Sequence, residues 1–290
     1  RLSYVSYDKD RFEFDTSLFY GNTKTMKGAD PSLIYVAPKE GDPDTGYYYA
    51  YITATSTINT YRTKDMTNWQ FLGATFRPNL DRNWAYTNFW APSVIYDPSD
   101  EYYYMFYSAT WYRFPSSHYM SVARSKSPAG PFEALDDGRE PLINFVNVPK
   151  SNPLFEYHDP SSSFSYPNGY FSSIDGEAFI DPITKKKYLL FVHDKGAGYS
   201  YSCVYIMEME SWTKPKYETI TRLTECEYLE VGGTERIDDS TVNEGPFMYY
   251  HNGLYYLTFS THVYTSPSYQ VRQAVSHSPL GPFKKVPVEK

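Results

Sequence analysis

Four short stretches decide the fold: Asp30-Pro-Ser-Leu-Ile-Tyr35, Ala91-Pro-Ser-Val-Ile-Tyr96, Asp175-Gly-Glu-Ala-Phe-Ile180 and Glu244-Gly-Pro-Phe-Met-Tyr249. Each is followed by an aromatic, strand-forming run: Tyr47-Tyr-Tyr-Ala-Tyr51, Tyr102-Tyr-Tyr-Met-Phe-Tyr107, Tyr188-Leu-Leu-Phe191 and Tyr255-Tyr-Leu-Thr-Phe259. A third strand then leads into a turn. The turns are Arg62-Thr-Lys-Asp-Met-Thr-Asn-Trp69, Arg124-Ser-Lys-Ser-Pro-Ala-Gly-Pro-Phe132, Met209-Glu-Ser-Trp212 and Val275-Ser-His-Ser-Pro-Leu-Gly-Pro-Phe283. The copies begin at 30, 91, 175 and 244, and so lie 61, 84 and 69 residues apart. About four strands per copy at such a period is the pattern of a β-propeller blade. Helical periodicity is weak throughout.

The repeat puts acids at three of its four first positions, Asp30, Asp175 and Glu244, with Ala91 at the other. Equivalent positions of a radial repeat face one axis, so the three carboxylates are expected around one pocket. Glycosidic cleavage needs two carboxyl groups in different protonation states, and a third nearby favours the protonated form of the acid. Taken singly, Asp before Pro or Gly is as well explained by turn capping.

Composition narrows the field. The chain has 290 residues, 32 of them Tyr, and a formal net charge of −7. Tyr suits strands and also offers a stacking surface. The negative balance argues against a nucleic-acid partner, which needs a basic face. Lys185-Lys-Lys187 reads as a solvated turn. No apolar run has membrane-spanning length, so a soluble chain is expected. Cys203 and Cys226 are too few for a disulfide framework and read as unpaired thiols. Residues 133–173, rich in Pro, Ser, Asn and Asp, read as a long loop. With 76–88, that loop is expected to wall the pocket.

Several other groups are expected to be structural. Glu177 and Asp181 flank Asp175. Glu225-Cys226 resembles an isolated acid motif without its partners, His158-Asp159-Pro160 reads as a turn, and His193 as a core or pocket-lining residue. Neither His193 nor His262 falls in a metal-ligand spacing.

The sequence resembles glycoside hydrolase family 43, whose members are five-bladed β-propellers acting with inversion. The resemblance rests on Ala29-Asp30-Pro31-Ser32-Leu33, Phe89-Trp90-Ala91-Pro92-Ser93, Ser173-Ile174-Asp175-Gly176 with Phe179, and Asn243-Glu244-Gly245-Pro246. The Ser-Pro-x-Gly-Pro-Phe turns also match, so the likeness runs from residue 29 to 283. It implies Asp30 as general base, Glu244 as general acid and Asp175 as the residue raising the acid's pKa. Phe89, Trp90 and His262 are the expected substrate contacts.

The implied whole is one all-β domain over 1–290, a five-bladed propeller with four blades visible. The fifth is missing or incomplete, either lost at the C-terminus or carried by a separate chain or segment. The stretch from Leu2 to Phe19 offers one or two strands at most. No metal is assigned and no cofactor is required for the chemistry, though a structural calcium is compatible. The family implies a secreted, periplasmic or cell-surface hydrolase of arabinose-containing polysaccharide, an arabinanase or α-L-arabinofuranosidase and more in keeping with exo attack. β-Xylosidase activity is the alternative, and a non-catalytic sugar-binding propeller the reading from another class. A propeller scaffold for protein partners would predict neither binding nor turnover.

Overall fold

A computed structural model describes residues 28–76, 78, 84–135, 140–152, 154, 172–194, 202–232 and 235–289. The expected strands in Leu2–Phe19 and the His158-Asp159-Pro160 turn lie outside them. The described residues form five antiparallel sheets. Blade I is β1 (Ser32–Val36), β2 (Tyr47–Ile52), β3 (Ile58–Thr63) and β4 (Gln70–Phe76). Blade II is β5 (Ala85–Asp97), β6 (Tyr102–Trp111), β7 (Phe114–Ser125) and β8 (Glu133–Ala134). Blade III holds β9 (Ile174–Ile180), β10 (Lys187–Asp194), β11 (Ser202–Ser211) and β12 (Lys214–Pro215), with β13 (Thr221–Arg222) also on β11.

Before blade IV the chain makes a hairpin, β14 (Tyr228–Gly232) and β15 (Glu235–Asp238). Blade IV is β16 (Asn243–His251), β17 (Leu254–Thr261), β18 (Gln270–Ser276) and β19 (Lys284–Lys285), and the chain ends in β20 (Val288–Glu289). The fifth sheet has the order β14-β15-β20, with Arg236 opposite Val288. The five-bladed expectation holds, and the fifth blade, expected to be missing or incomplete, is present as a three-stranded sheet. The extra sheet joins a hairpin to a C-terminal strand some fifty residues later. Neither piece carries the repeat motif, so periodicity could not mark it.

The first strands of the four blades pack in succession, β1 on β5, β5 on β9 and β9 on β16. Tyrosines fill the space between blades, and Tyr49, Tyr51, Tyr107, Tyr119 and Tyr205 are wholly buried. Ties at one end of the strands then lock neighbours together. Asp44 accepts from Ser127 Oγ at 2.7 Å, joining blades I and II. Asp97 accepts from Trp212 Nε1 at 2.8 Å and pairs with Lys187 Nζ at 2.5 Å, joining II and III. Asp181 accepts from Tyr255 O–H at 2.8 Å, joining III and IV. Lys187 is therefore a strand residue in an inter-blade ion pair, not part of a solvated turn.

The expected pocket walls differ as well. Residues 85–88 belong to β5, and Trp84 and Ala85 are buried. From 140 to 152 the chain packs onto blade II through Leu142, Ile143, Phe145 and Val148. Leu142 N–H donates to Met120 O at 2.8 Å. Apolar residues scattered through a polar stretch pull that part of the loop into the core.

Candidate active site

All four first strands carry the same irregularity. Ala29 faces Thr53 and Ser32 faces Tyr51, so Asp30 and Pro31 together oppose one residue. The same two-against-one step falls between Trp90↔Ser108 and Ser93↔Phe106, between Ile174↔Val192 and Glu177↔Leu190, and between Glu244↔Ser260 and Phe247↔Thr258. These are β-bulges whose first residue is left-handed. Its φ is 49° at Asp30, 42° at Ala91, 55° at Asp175 and 56° at Gly245. Non-glycine residues rarely adopt such angles, and strained backbone of this kind gathers at functional sites.

The bulges correct the register read from the sequence. Asp30, Ala91, Asp175 and Gly245 are the equivalent residues, and Glu244 stands one place earlier, level with Ala29, Trp90 and Ile174. The Gly-Pro pair at 245–246 aligns with Asp-Pro at 30–31 and Ala-Pro at 91–92. Two carboxylates thus occupy the bulge itself, and the third comes from the residue preceding it.

Hydrogen bonds link the bulges of blades II, III and IV to the blade before each. Thr53 Oγ1 accepts from Ala91 N–H at 2.9 Å and donates to Asp30 Oδ2 at 2.6 Å. Ser108 Oγ accepts from Asp175 N–H at 3.1 Å. Val192 holds the corresponding place in blade III and has no hydroxyl. There the Asp175 carboxylate itself reaches across, and its Oδ2 accepts from Gly245 N–H at 2.9 Å. Asp175 is thereby held against the peptide that carries Glu244.

Glu244 Oε1 also accepts from Tyr269 O–H at 2.9 Å. Tyr269 lies just before β18. Burial first, with the Glu244 and Asp175 charges adding to it, pushes its pKa up to about 12, while Ser260 opposes the shift. The phenol therefore remains a neutral donor. Asp30 is exposed, and Asp175 and Glu244 are half-buried.

Trp90, next to the blade II bulge, is 37% exposed and lies against His118, with ring centroids 3.6 Å apart and planes 14° from parallel. His118 contacts Thr110 Oγ1 at 3.2 Å through Nε2, and burial lowers its pKa to about 4. The pair is an uncharged aromatic stack at neutral pH. Phe89 is a correction: at 0% exposure, packed against Phe76 and Tyr107, it is a core residue and presents no surface to a ligand. Strand alternation turns it inward where its neighbour Trp90 turns outward. His262 is half-buried, left-handed at φ 67°, with Nε2 4.0 Å from Asp238 Oδ1. It faces the end of β15, and no hydrogen bond joins it to the acids among the described contacts.

Below the bulges, Glu177 Oε2 accepts from Ser93 Oγ at 2.5 Å. The residue is half-buried, but its carboxyl lies between strands, and desolvation lifts its pKa to about 7 against the pull of the Ser93 hydrogen bond. His193 is buried, with Nδ1 2.7 Å from Ser172 O and Nε2 3.0 Å from Leu154 O. Glu225 pairs with Arg222. Cys203 and Cys226 form no disulfide, and a hydrogen bond with Cys203, then burial, drives the Cys226 thiol far above its ordinary value. Among the described residues no three His, Cys, Asp or Glu side chains assemble in a way that would hold a metal ion, so the compatible calcium has no assigned place. No helix among them is long and apolar enough to cross a membrane.

Sequence reasoning missed Thr53, Ser108, Tyr269 and His118. A signal existed for the first two. A hydroxyl recurs where the second strand passes the bulge, as Thr53, Ser108 and Ser260, but its meaning depends on pairing across blades.

Five antiparallel sheets with carboxylates on axial bulges define a propeller of the glycosidase type. The profile of "Glycosyl hydrolases family 43" matches residues 23–140 and 143–290, and the chain belongs to that family. It is an inverting-family glycoside hydrolase acting on carbohydrate. No curated protein sequence matches it. Among solved structures it is similar to a thermostable family-43 glycoside hydrolase, at 26% identity and TM-score 0.65, over 92% of this chain and 75% of the other. An endo-1,4-beta-xylanase from Bacteroides thetaiotaomicron is 25% identical, with TM-score 0.62 over 89% and 72% of the two chains. An endo-arabinase from the same organism shares the fold at 21% identity, with TM-score 0.66 over 91% and 81%.

Proposed function

We propose that this glycosidase cleaves arabinofuranosyl linkages of arabinan or of arabinose side chains, outside the cell. Asp30 would act as base, Glu244 as acid and Asp175 as the charge that keeps Glu244 protonated. In the single displacement, Asp30 takes a proton from water as the water oxygen bonds to the anomeric carbon. Glu244 gives its proton to the departing glycosidic oxygen on the opposite face. The observation that carries the reading is the Asp175 Oδ2–Gly245 N–H bond, which places one negative charge beside the peptide of Glu244. Like charge favours the protonated acid. Tyr269 O–H donates to Oε1 of Glu244 and so orients its carboxyl group. Trp90, backed by His118, offers a flat apolar face suited to a sugar ring.

The arabinose preference is supported by Phe89-Trp90-Ala91-Pro92, where Trp90 rather than an acid stands beside the bulge. The exo reading draws on pocket walls from 76–88 and 133–173, but within their described parts Trp84, Ala85, Leu142, Ile143, Phe145 and Val148 are buried in the core. Product analysis on linear arabinan against xylan tests both points. Arabinose alone supports exo action on arabinan, oligosaccharides indicate endo action, and release from xylan only would overturn the substrate. For the acid, Glu244→Gln is expected to lower kcat on the polymer by about 10³-fold or more, with a much smaller loss on a substrate whose leaving group needs no protonation. Equal losses on both would refute the assignment.

A further inference from the structure

We infer that Thr53 is a positioning residue for the base, a single hydroxyl that fixes both the Asp30 carboxylate and the bulge beside Trp90. The inference rests on the proposed role of Asp30. Its geometry is specific. A hydroxyl has one hydrogen to give, and Thr53 gives it to Asp30 Oδ2 at 2.6 Å while accepting the Ala91 N–H at 2.9 Å. The donor role is thus committed to the carboxylate and the acceptor role to the amide, with no competition between them. Its own backbone N–H donates to Ala29 O at 3.0 Å, which holds Thr53 level with the bulge that carries Asp30.

The other blades show what this place does. In blade II, Ser108 accepts the corresponding amide, that of Asp175, and in blade III Asp175 Oδ2 accepts that of Gly245. The bulge amides of blades II, III and IV are thus each anchored by the blade before. In blade I the anchoring hydroxyl also holds one of the acids, Asp30. Asp30 is exposed and left-handed, so its carboxylate has solvent on one side and strained backbone on the other. Without Thr53 it would be free to rotate among staggered positions. Base catalysis depends on aim, and displacement by about 1 Å can cost about 100-fold in rate. The same hydroxyl sets the distance between base and sugar platform, because Ala91 directly follows Trp90.

Thr53→Val keeps the shape and removes both hydrogen bonds, whereas Thr53→Ser restores both. Kinetics would be measured on the nitrophenyl arabinofuranoside or xyloside that the wild-type protein turns over, with Asp30→Asn as control and backbone amide exchange followed at Ala91. The expected result is a kcat about 10- to 100-fold lower for Thr53→Val with KM within about twofold. Thr53→Ser should recover to within a few fold, and the Ala91 amide should exchange faster only in the valine variant. Wild-type kcat in Thr53→Val, or an Ala91 amide still protected there, would overturn the inference. So would a serine variant as impaired as the valine one, since that indicates a packing role. Activity retained by Asp30→Asn would instead remove the base assignment, and the exchange measurement would still decide whether the anchor exists.

Discussion

A single carboxyl group, that of Glu177, shows how the axis treats charge. Its ordinary value is 4.5, and burial lifts it to about 7 despite the Ser93 hydrogen bond. Between those two values the folded protein holds a proton that the unfolded chain has released. Folded-state proton binding is then the larger, so stability falls as pH rises through this window. Glu177→Gln removes that dependence. It should be near neutral at pH 5 and more stable than wild type by of order 2 kcal/mol at pH 8. Urea unfolding at the two pH values checks this, and a difference that does not change with pH would contradict it. The sequence placed Glu177 correctly on β9 but gave no sign of its partner. Ser93 lies 84 positions away and meets it only because blades II and III pack side by side.

At the scale of the element, the blade-closing turns and the bulges carry the most information. Gly130 in Ser-Pro-Ala-Gly-Pro-Phe has φ 78°, and a Cβ there would stand 2.8 Å from Thr75 O. The same carbonyl accepts from Phe132 N–H at 2.8 Å, so the turn is pressed against β4 of the neighbouring blade. Gly253, in the hairpin between β16 and β17, has φ 83° but open space around it. Gly130→Ala should therefore cost about 3 kcal/mol, adding a backbone clash to left-handed strain, and Gly253→Ala about 1 kcal/mol. Equal penalties in chemical denaturation would argue against the close approach. Strands and turns were legible because aromatic runs and Gly-Pro punctuation are local signals. The register of Glu244 was not. A bulge displaces the backbone by one residue, and the acid, Gly and Pro of blade IV resemble the other copies under either alignment.

For the whole molecule, the tie at Asp97 tests how the blades cohere. Burial works to raise this carboxyl, but the Lys187 hydrogen bond and charge, with Ser99, outweigh it and hold the pKa below the ordinary value. A depressed carboxylate stabilises the fold above its unfolded value and loses that contribution as pH falls through the folded one. Asp97→Ala leaves Trp212 Nε1 without its acceptor and Lys187 Nζ with Ser99 Oγ in place of a counter-charge, and should cost about 3 kcal/mol at pH 7. The penalty should shrink as pH falls below the ordinary carboxylate range and the wild-type group takes up a proton as well. Thermal melts across this range are the measurement, and a loss that does not vary with pH would show that packing, not charge, joins blades II and III.

The blade repeat, the aromatic strands and the acids Asp30, Asp175 and Glu244 follow from the sequence by itself, because each is written in contiguous residues. Tertiary structure alone decided the fifth sheet, the burial of Phe89, the one-residue offset of Glu244 and the Thr53 anchor. These depend on which strand faces which across a bulge and between blades. Pairing of that kind joins residues tens of positions apart, and local composition carries no record of it.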